Sequence, residues 1–393
     1  MTETGTYFSP GGQFTLTEAE SGSLRGVTVA VKDLYDVAGH VTGAGNPALT
    51  FHGQPAQSHA AAVGRVLDAG ATIIGKTATD ELAAGMFGVN SHFGTPWNPA
   101  ALDRVPGGSS SGAASAVAAG DAALGLGTDT GGSVRTPASF CGIFGLRTTH
   151  GRIPISGVRP MAPRFDTVSL LARRVDVLAA AMSVLADAPV VPRSIEKIVL
   201  LEDMLDLADP ETAALTRRTA QRWSRLWGLS LESARLAPPG EFLRSLVDTF
   251  WPLMSRQLWE SNGEWMLREN PPLGDGISER ILAAREITDA EIEEAEIAVR
   301  ALSARVETLL DSALAVLPSA IGPAPLRTAP FEELMEFRTR NLPLVVPASL
   351  CGLPQLSIPA GLVDGAPVGT SLLGLPGDDE LLLRWAQRHG IGA

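Results

Sequence analysis

The sequence predicts an α/β fold with a helical layer inserted into it, on three observations. Strand-like and helix-like segments alternate throughout residues 1–190, the pattern of helices covering a sheet. Residues 195–320 are helical in period and rich in Arg and Glu, and strand-like runs return within 340–375. No internal repeat or flexible linker divides the chain, so the reading is a single domain over 1–393: core motifs in 24–190, a helical insert at 195–320, and returning core strands at 340–375. At 45% hydrophobic and 19% charged, with mean hydropathy +0.14, the chain can bury a large core.

Each element has its own signal. Leu24 to Asp36 is rich in β-branched residues and reads as a strand ending near Lys32-Asp33. From Ser58, a candidate cap, Ala62, Val63, Val66 and Leu67 share a helical face that Gly70 stops. A short strand follows at Ala71 to Ile74, and acidic residues at Thr79-Asp80-Glu81 suit a helix start. Residues 112–120 are almost all small, a helix against which another backbone can pack closely. A strand at Ala122 to Leu126 leads into the loop Gly127-Thr-Asp-Thr-Gly-Gly-Ser133. Five of seven tryptophans (Trp223, Trp227, Trp251, Trp259, Trp265) fall in the helical insert, either packing helices together or walling a pocket. Val345-Val346 and Gln355 to Ile358 read as the returning strands.

Charge and composition exclude several function classes. With 31 basic and 43 acidic residues the net charge is −12, a field that repels nucleic acid. Two cysteines cannot build a disulfide framework. The N-terminus lacks a signal-peptide pattern, and the most apolar stretch, Leu342 to Leu362, is broken by four prolines. These features point to a cytoplasmic protein that partners neither membrane nor nucleic acid. No His/Cys/Asp cluster has metal-ligand spacing, so neither metal nor cofactor is expected. Three lysines (Lys32, Lys76, Lys197) stand against 28 arginines. Lysine, unlike arginine, can give up its proton near neutral pH.

Three motif matches compete. Gly70 to Thr77 fits the phosphate-loop pattern by letter, but its middle residues read as a strand, whose N–H groups belong to a sheet. Gly108-Ser-Ser110-Ser-Gly112 fits the nucleophile elbow of serine esterases, with His389 as the only late histidine, but a loop precedes it instead of a strand. The third is a constellation: Lys32 at a strand end, the serine run Ser109-Ser110-Ser111, and the loop through Ser133. Thr130, Gly131, Gly132 and Ser133 offer consecutive N–H groups in a glycine-rich turn, a cradle for an oxyanion beside a nucleophile.

These residues resemble the amidase signature family. Its G-G-S-S-G-G and G-T-D-x-G-G-S-[IV]-R-x-P motifs stand here as Gly107 to Gly112 and Gly127 to Pro137, and its A-V-K-D-x-x-D-V-x-G run as Ala30 to Gly39. Gly75 to Thr77, Asp80 to Ala83, Cys141 to Leu146 and Gly352 to Gly361 match further runs, so the likeness covers about 24–180 and 340–375. Ser111-Gly112 stands where relatives often have two glycines, Asp166 to Leu170 departs from the usual D-T-x-G-P, and Ala84-Gly85 stands where Met-Gly is common, leaving a roomier pocket. The resemblance implies a mixed central sheet covered by helices. It implies Ser133 as nucleophile, Ser109 as proton bridge after a cis peptide, and Lys32 as general base. Thr130, Gly131, Gly132 and Ser133 form the oxyanion hole, with Ser110, Asp129 and Arg135 in support and Ala84 and Gly85 in the pocket. Lys76, His92 and His150 are expected to be structural.

The implied activity is hydrolysis of a small carboxamide to acid and ammonia through an acyl-enzyme. Indole-3-acetamide is the best single substrate guess, from the finer likeness at Gly43 to Pro47 and Pro160 to Asp166 and from the tryptophans. No cation beyond Arg135 is expected near Ser133, so a dicarboxylic half-amide should be the weaker substrate. The alternatives are a glutaminase-type subunit of a tRNA-dependent amidotransferase, an esterase using Ser110 and His389, and a non-catalytic receptor. Many relatives are homodimers, so a homodimer is expected.

Overall fold

The computed structural model describes residues 7–188, 190–237 and 244–388. Among these, eleven strands form one mixed sheet: β1 (Phe8–Leu16), β2 (Thr28–Lys32), β3 (Thr72–Thr77), β4 (Leu124–Thr128), β5 (Phe144–Arg147), β6 (Val168–Ala172), β7 (Lys197–Leu201), β8 (Ser230–Ala234), β9 (Ala313–Pro318), β10 (Gln355–Val363) and β11 (Ala366–Leu373). Their order is β1-β3-β2-β4-β6-β5-β10-β11-β9-β7-β8.

Strand β2 is parallel to both neighbours, with Lys32 level with Thr77 and Val31 level with Leu126. Alternate side chains of a strand leave opposite faces. Val29 and Val31 accordingly join the core under helices Ala61–Asp68 and Val175–Leu185, while Ala30 joins the core under helix Ser111–Ala119. Lys32, two residues beyond Ala30, lies on the side of that small-residue helix. The helix comes as close as its side chains allow: Gly112 N–H donates to the Ala78 carbonyl at 3.0 Å, and a Cβ on Gly112 would lie 2.5 Å from Ala78 N. Strands β2 and β4 end side by side, which brings Lys32 and the loop after Thr128 to one edge of the sheet. Ligands of parallel sheets bind at such carboxyl ends.

In the other half, β7 is parallel to β8 and β9. Val199, Leu201, Ala315 and Leu317 face helices Arg244–Glu269, Asp289–Leu310 and Phe331–Leu350, and Ile198, Leu200, Leu314 and Val316 face Pro210–Trp227 and Asp379–Arg388. The sheet is therefore covered on both faces.

Four expectations need correction. The segment 195–320 is not only helical, since it contributes β7, β8 and β9 to the sheet. Short apolar runs such as Ile198 to Leu201 fit a strand or a buried helix equally well by period. Val345-Val346 is not a strand but lies within helix Phe331–Leu350, which carries Pro343 and Pro347 in its interior. Two β-branched residues between prolines imitate a strand locally, and burial of the helix against Arg244–Glu269 overrides that signal. Ser58 does not cap: the first long helix begins at Ala61 after Ala60, with no side-chain cap. Only one 3₁₀ turn, Glu81–Ala83, follows Asp80, and Leu82 and Ala83 have positive φ, which ends any helix there.

Candidate active site

Lys32 is fully buried at the end of β2, and its Nζ donates to Ser109 Oγ and to Thr128 Oγ1, both at 2.8 Å. Among the described residues it forms no ion pair. Burial pulls its amine well below the ordinary lysine value, while the charges of Asp80, Asp166 and Asp129 pull weakly the other way. Asp80 is buried nearby and pushed up by that burial, opposed by the Gly88 N–H on its Oδ2 and then by Lys32. Ser109 follows a cis peptide from Gly108, as the resemblance implies. A Cβ on Gly108 would lie 2.3 Å from Asp80 Oδ1, so this approach of Asp80 needs glycine.

The second serine loop is held by Asp129. Its Oδ1 accepts from Gly132 N at 2.9 Å and from Arg135 Nη2 at 2.7 Å. Its Oδ2 accepts from Val134 N and Arg135 Nε, both at 3.0 Å. Arg147 Nη1 also donates to Asp129 Oδ1, at 3.2 Å. Burial by itself would raise this carboxyl. The Arg135 and Arg147 guanidiniums outweigh burial and hold Asp129 well below the usual carboxylate range. Arg135 then reaches the far part of the chain, its Nη1 donating to Val345 O and Gln355 Oε1 at 2.7 Å each. Asp129 and Arg135 thus brace the loop, and both are fully buried.

The bracing alters one expectation. Gly132 N–H, one of four donors assigned to the oxyanion hole, points at Asp129 instead, which leaves the N–H groups of Thr130, Gly131 and Ser133 for an oxyanion. Thr130 is fixed by its hydroxyl on Asp166 Oδ1. The two serine loops meet where Ser110 N–H donates to Ser133 O at 3.2 Å. Ser110 Oγ donates to Thr128 O at 3.2 Å, a buried bond that ties it to the β4 end rather than to a histidine. His389, the partner an esterase would need, lies outside the described residues.

Ser133, Thr130 and Gly131 open into a narrow cleft of about 370 Å³, open mouth included, whose wall includes Ala84, Gly85, Met161, Phe250, Trp251 and Met254. The expected pocket residues Ala84 and Gly85 are both in it. Through Ala84, Gly85, Met86, Arg280 and Arg338 it shares walls with an outer cavity of about 980 Å³, open mouth included. Of the five clustered tryptophans only Trp251 lines the inner cavity, while Trp223 and Trp227 stack in the core under the opposite face of the sheet. The expectation of no cation beyond Arg135 fails: Arg280 and Arg338 stand in the wall with Ser133.

Lys76 has a structural place, ion-paired to Asp33 at 2.9 Å and donating to Val41 O and Thr42 Oγ1. His92 contacts Glu81 at 3.0 Å, and His150 contacts Pro163 O at 2.9 Å. Sequence reasoning missed Thr128, Asp80, Arg280 and Arg338. Thr128 and Asp80 sit inside the recognised motifs and carried a signal, whereas the arginines are two among many in a segment without one.

A family model described as Amidase matches residues 11–383. Amidase 1 of Arabidopsis thaliana is 36% identical, the alignment covering 94% of this chain and 93% of that one. Amidase 1 of Oryza sativa subsp. japonica is 37% identical, with 92% and 89% covered. A crystal structure of an amidase superposes with a TM-score of 0.83 at 28% identity, covering 94% of this chain and 86% of its own.

Proposed function

The chain belongs to the amidase family, and on that premise we propose that this amidohydrolase cleaves a small carboxamide through a Ser133 acyl-enzyme, with Ser109 as proton bridge and Lys32 as base. The observation that carries the reading is Lys32: a buried amine with no carboxylate in contact among the described residues, 2.8 Å from a serine hydroxyl. An amide carbonyl is a poor electrophile, so the attacking serine must lose its proton as it attacks. Lysine can take it only when neutral, and burial supports that form.

The steps balance. Ser133 Oγ bonds to the carbonyl carbon as its proton passes to Ser109, and the Ser109 proton passes to Lys32 Nζ. In the neutral amine the 2.8 Å contact reverses, so that the Ser109 O–H donates to the nitrogen lone pair. The oxyanion lies on the N–H groups of Thr130, Gly131 and Ser133. Collapse breaks the C–N bond, and the leaving nitrogen takes its proton from Ser109, which recovers one from Lys32. Water then attacks the ester along the same relay and releases the acid.

The acyl group lies in the inner cavity, whose Met161, Phe250 and Met254 favour apolar atoms beside the carbonyl. Indole-3-acetamide and a benzoic-type amide are the substrates to test first, supported by the likeness to the plant amidases named above. Ammonia release over a panel of primary amides is the experiment, with the acyl-enzyme sought by intact mass. Ser133→Ala is expected to abolish turnover, and Ser109→Ala and Lys32→Ala each to lower kcat by orders of magnitude, non-additively because they act as one unit. A fully active Ser133→Ala protein ends this reading.

A further inference from the structure

Arg280 and Arg338 are the cations that the mechanism leaves unused. They come from helices Ile277–Ala283 and Phe331–Leu350 and line both the Ser133 cavity and the outer one. Both lie over the Trp251 ring, with Cζ 5.8 Å and 5.0 Å from its centroid, so that one indole contacts both guanidiniums. Neither pairs with a carboxylate among the described residues. Arg280 Nη1 donates to Ala84 O at 2.6 Å, but its buried Nη2 has no partner. Arg338 makes no hydrogen bond among the described residues, where its guanidinium lies over the indole.

Two like charges at a cavity wall repel each other, and burial adds to the cost of keeping both ionised. Arg338 is lowered to about 9 by burial and then by Arg280, which leaves it protonated at neutral pH. Of the acidic groups in the outer wall, Glu81 is occupied by Asn46 and the Gly274 N–H. Asp80 accepts from Gly88 and acts on Arg338 only through space. Asp275 is exposed. The wall therefore carries two positive charges and a buried donor that no carboxylate of the described residues contacts, and its one buried carboxyl oxygen left over, Asp80 Oδ1, makes no hydrogen bond to either arginine. Trp251, with both guanidiniums over its ring, is also a poor surface for a second flat apolar group.

We propose that the acyl group of the substrate ends in a carboxylate, which Arg280 and Arg338 bind while the carboxamide lies at Ser133. The substrate class is the half-amide of a dicarboxylic acid with an apolar spacer. Planar guanidiniums suit a carboxylate through paired N–H···O bonds. The inference rests on the amidase reading and narrows it.

The test compares isosteres: glutaramate against pentanamide, and 4-carbamoylbenzoate against 4-methylbenzamide, with 5-aminopentanamide and glutamine as further probes. Glutaramate or 4-carbamoylbenzoate is expected to exceed its neutral partner in kcat/KM at least tenfold, mainly through KM, and 5-aminopentanamide is expected to be the poorest. Arg338→Met and Arg280→Met should each reduce the acid-to-neutral ratio at least tenfold, and Arg338→Lys should restore part of it. Equal or better turnover of the neutral amides overturns the proposal and leaves the amidase reading intact. If glutamine exceeds glutaramate, the site reads an α-amino acid and the simple half-amide is wrong. Should no amide be cleaved, the amidase reading fails separately. Glutaramate binding to the Ser133→Ala protein by calorimetry then decides this proposal: affinity weakened tenfold in the Arg338→Met background sustains it, and absent or unchanged affinity ends it.

Discussion

At the scale of residues, the proposed base is an amine that must be neutral to accept a proton, and this fixes the sign of the pH dependence. Lys32 is lowered to about 7, so its neutral fraction grows as pH rises through that value and shrinks below it. On an uncharged amide, kcat/KM is expected to fall about tenfold per pH unit below 7 and to level off above, as one protonation requires. Lys32→Arg keeps a cation that does not deprotonate near neutral pH and is expected to lower kcat by at least about 10³. A flat profile from pH 5 to 9 together with an active Lys32→Arg protein would remove the lysine from the mechanism. Lys32, Ser109 and Ser133 were legible because each sits in a short motif whose local geometry is fixed by neighbours in sequence. Arg280 and Arg338 were not, because no spacing records that they line one cavity with Ser133, far from them in the sequence.

At the scale of elements, the nucleophile loop lies directly on the proline-interrupted helix. Gly132 has φ +104°, and a Cβ there would come within 3.0 Å of both Val345 methyl carbons. Gly132→Ala therefore combines a disfavoured backbone with a collision. It is expected to cost about 1–3 kcal/mol of stability and to displace the Ser133 N–H from the oxyanion position. Denaturant unfolding and kcat on one amide check this, and a protein of unchanged stability and rate would show that the loop tolerates the shift. The glycine was legible in the loop motif, but its neighbour was not. Val345-Val346 reads locally as a strand, and only burial against helix Arg244–Glu269 makes it helical. The same ambiguity hid β7 and β9, whose alternation emerges only when both faces are covered. The helix Ser111–Ala119 was legible throughout, because close approach demands small side chains whatever the partner.

At the scale of the whole molecule, the site joins distant parts of the chain. Lys32, Ser109 and Ser133 come from the first half of the chain, yet Arg135 donates to Val345 and Gln355, and Arg280 and Arg338 join the cavity wall. A chain ended after residue 340 keeps all three residues of the proposed relay and is expected to release no ammonia from any amide on the panel. Activity in such a chain would show that the loop sets without its distant braces. The α/β architecture was legible from alternation alone, whereas the sheet order, which returns β10 beside β5 before reaching β9, depends on long-range pairing.

The brace from Arg135 to Gln355 also sets a clock. Some 220 residues separate the two partners, and a ribosome adding about 5–20 residues per second needs about 10–45 s to deliver the second after the first. Throughout that interval the nascent chain carries Ser133 on a loop that lacks its final restraint. Amide cleavage is expected in this way to wait until synthesis is nearly over, and a stalled or prematurely terminated product to be inert.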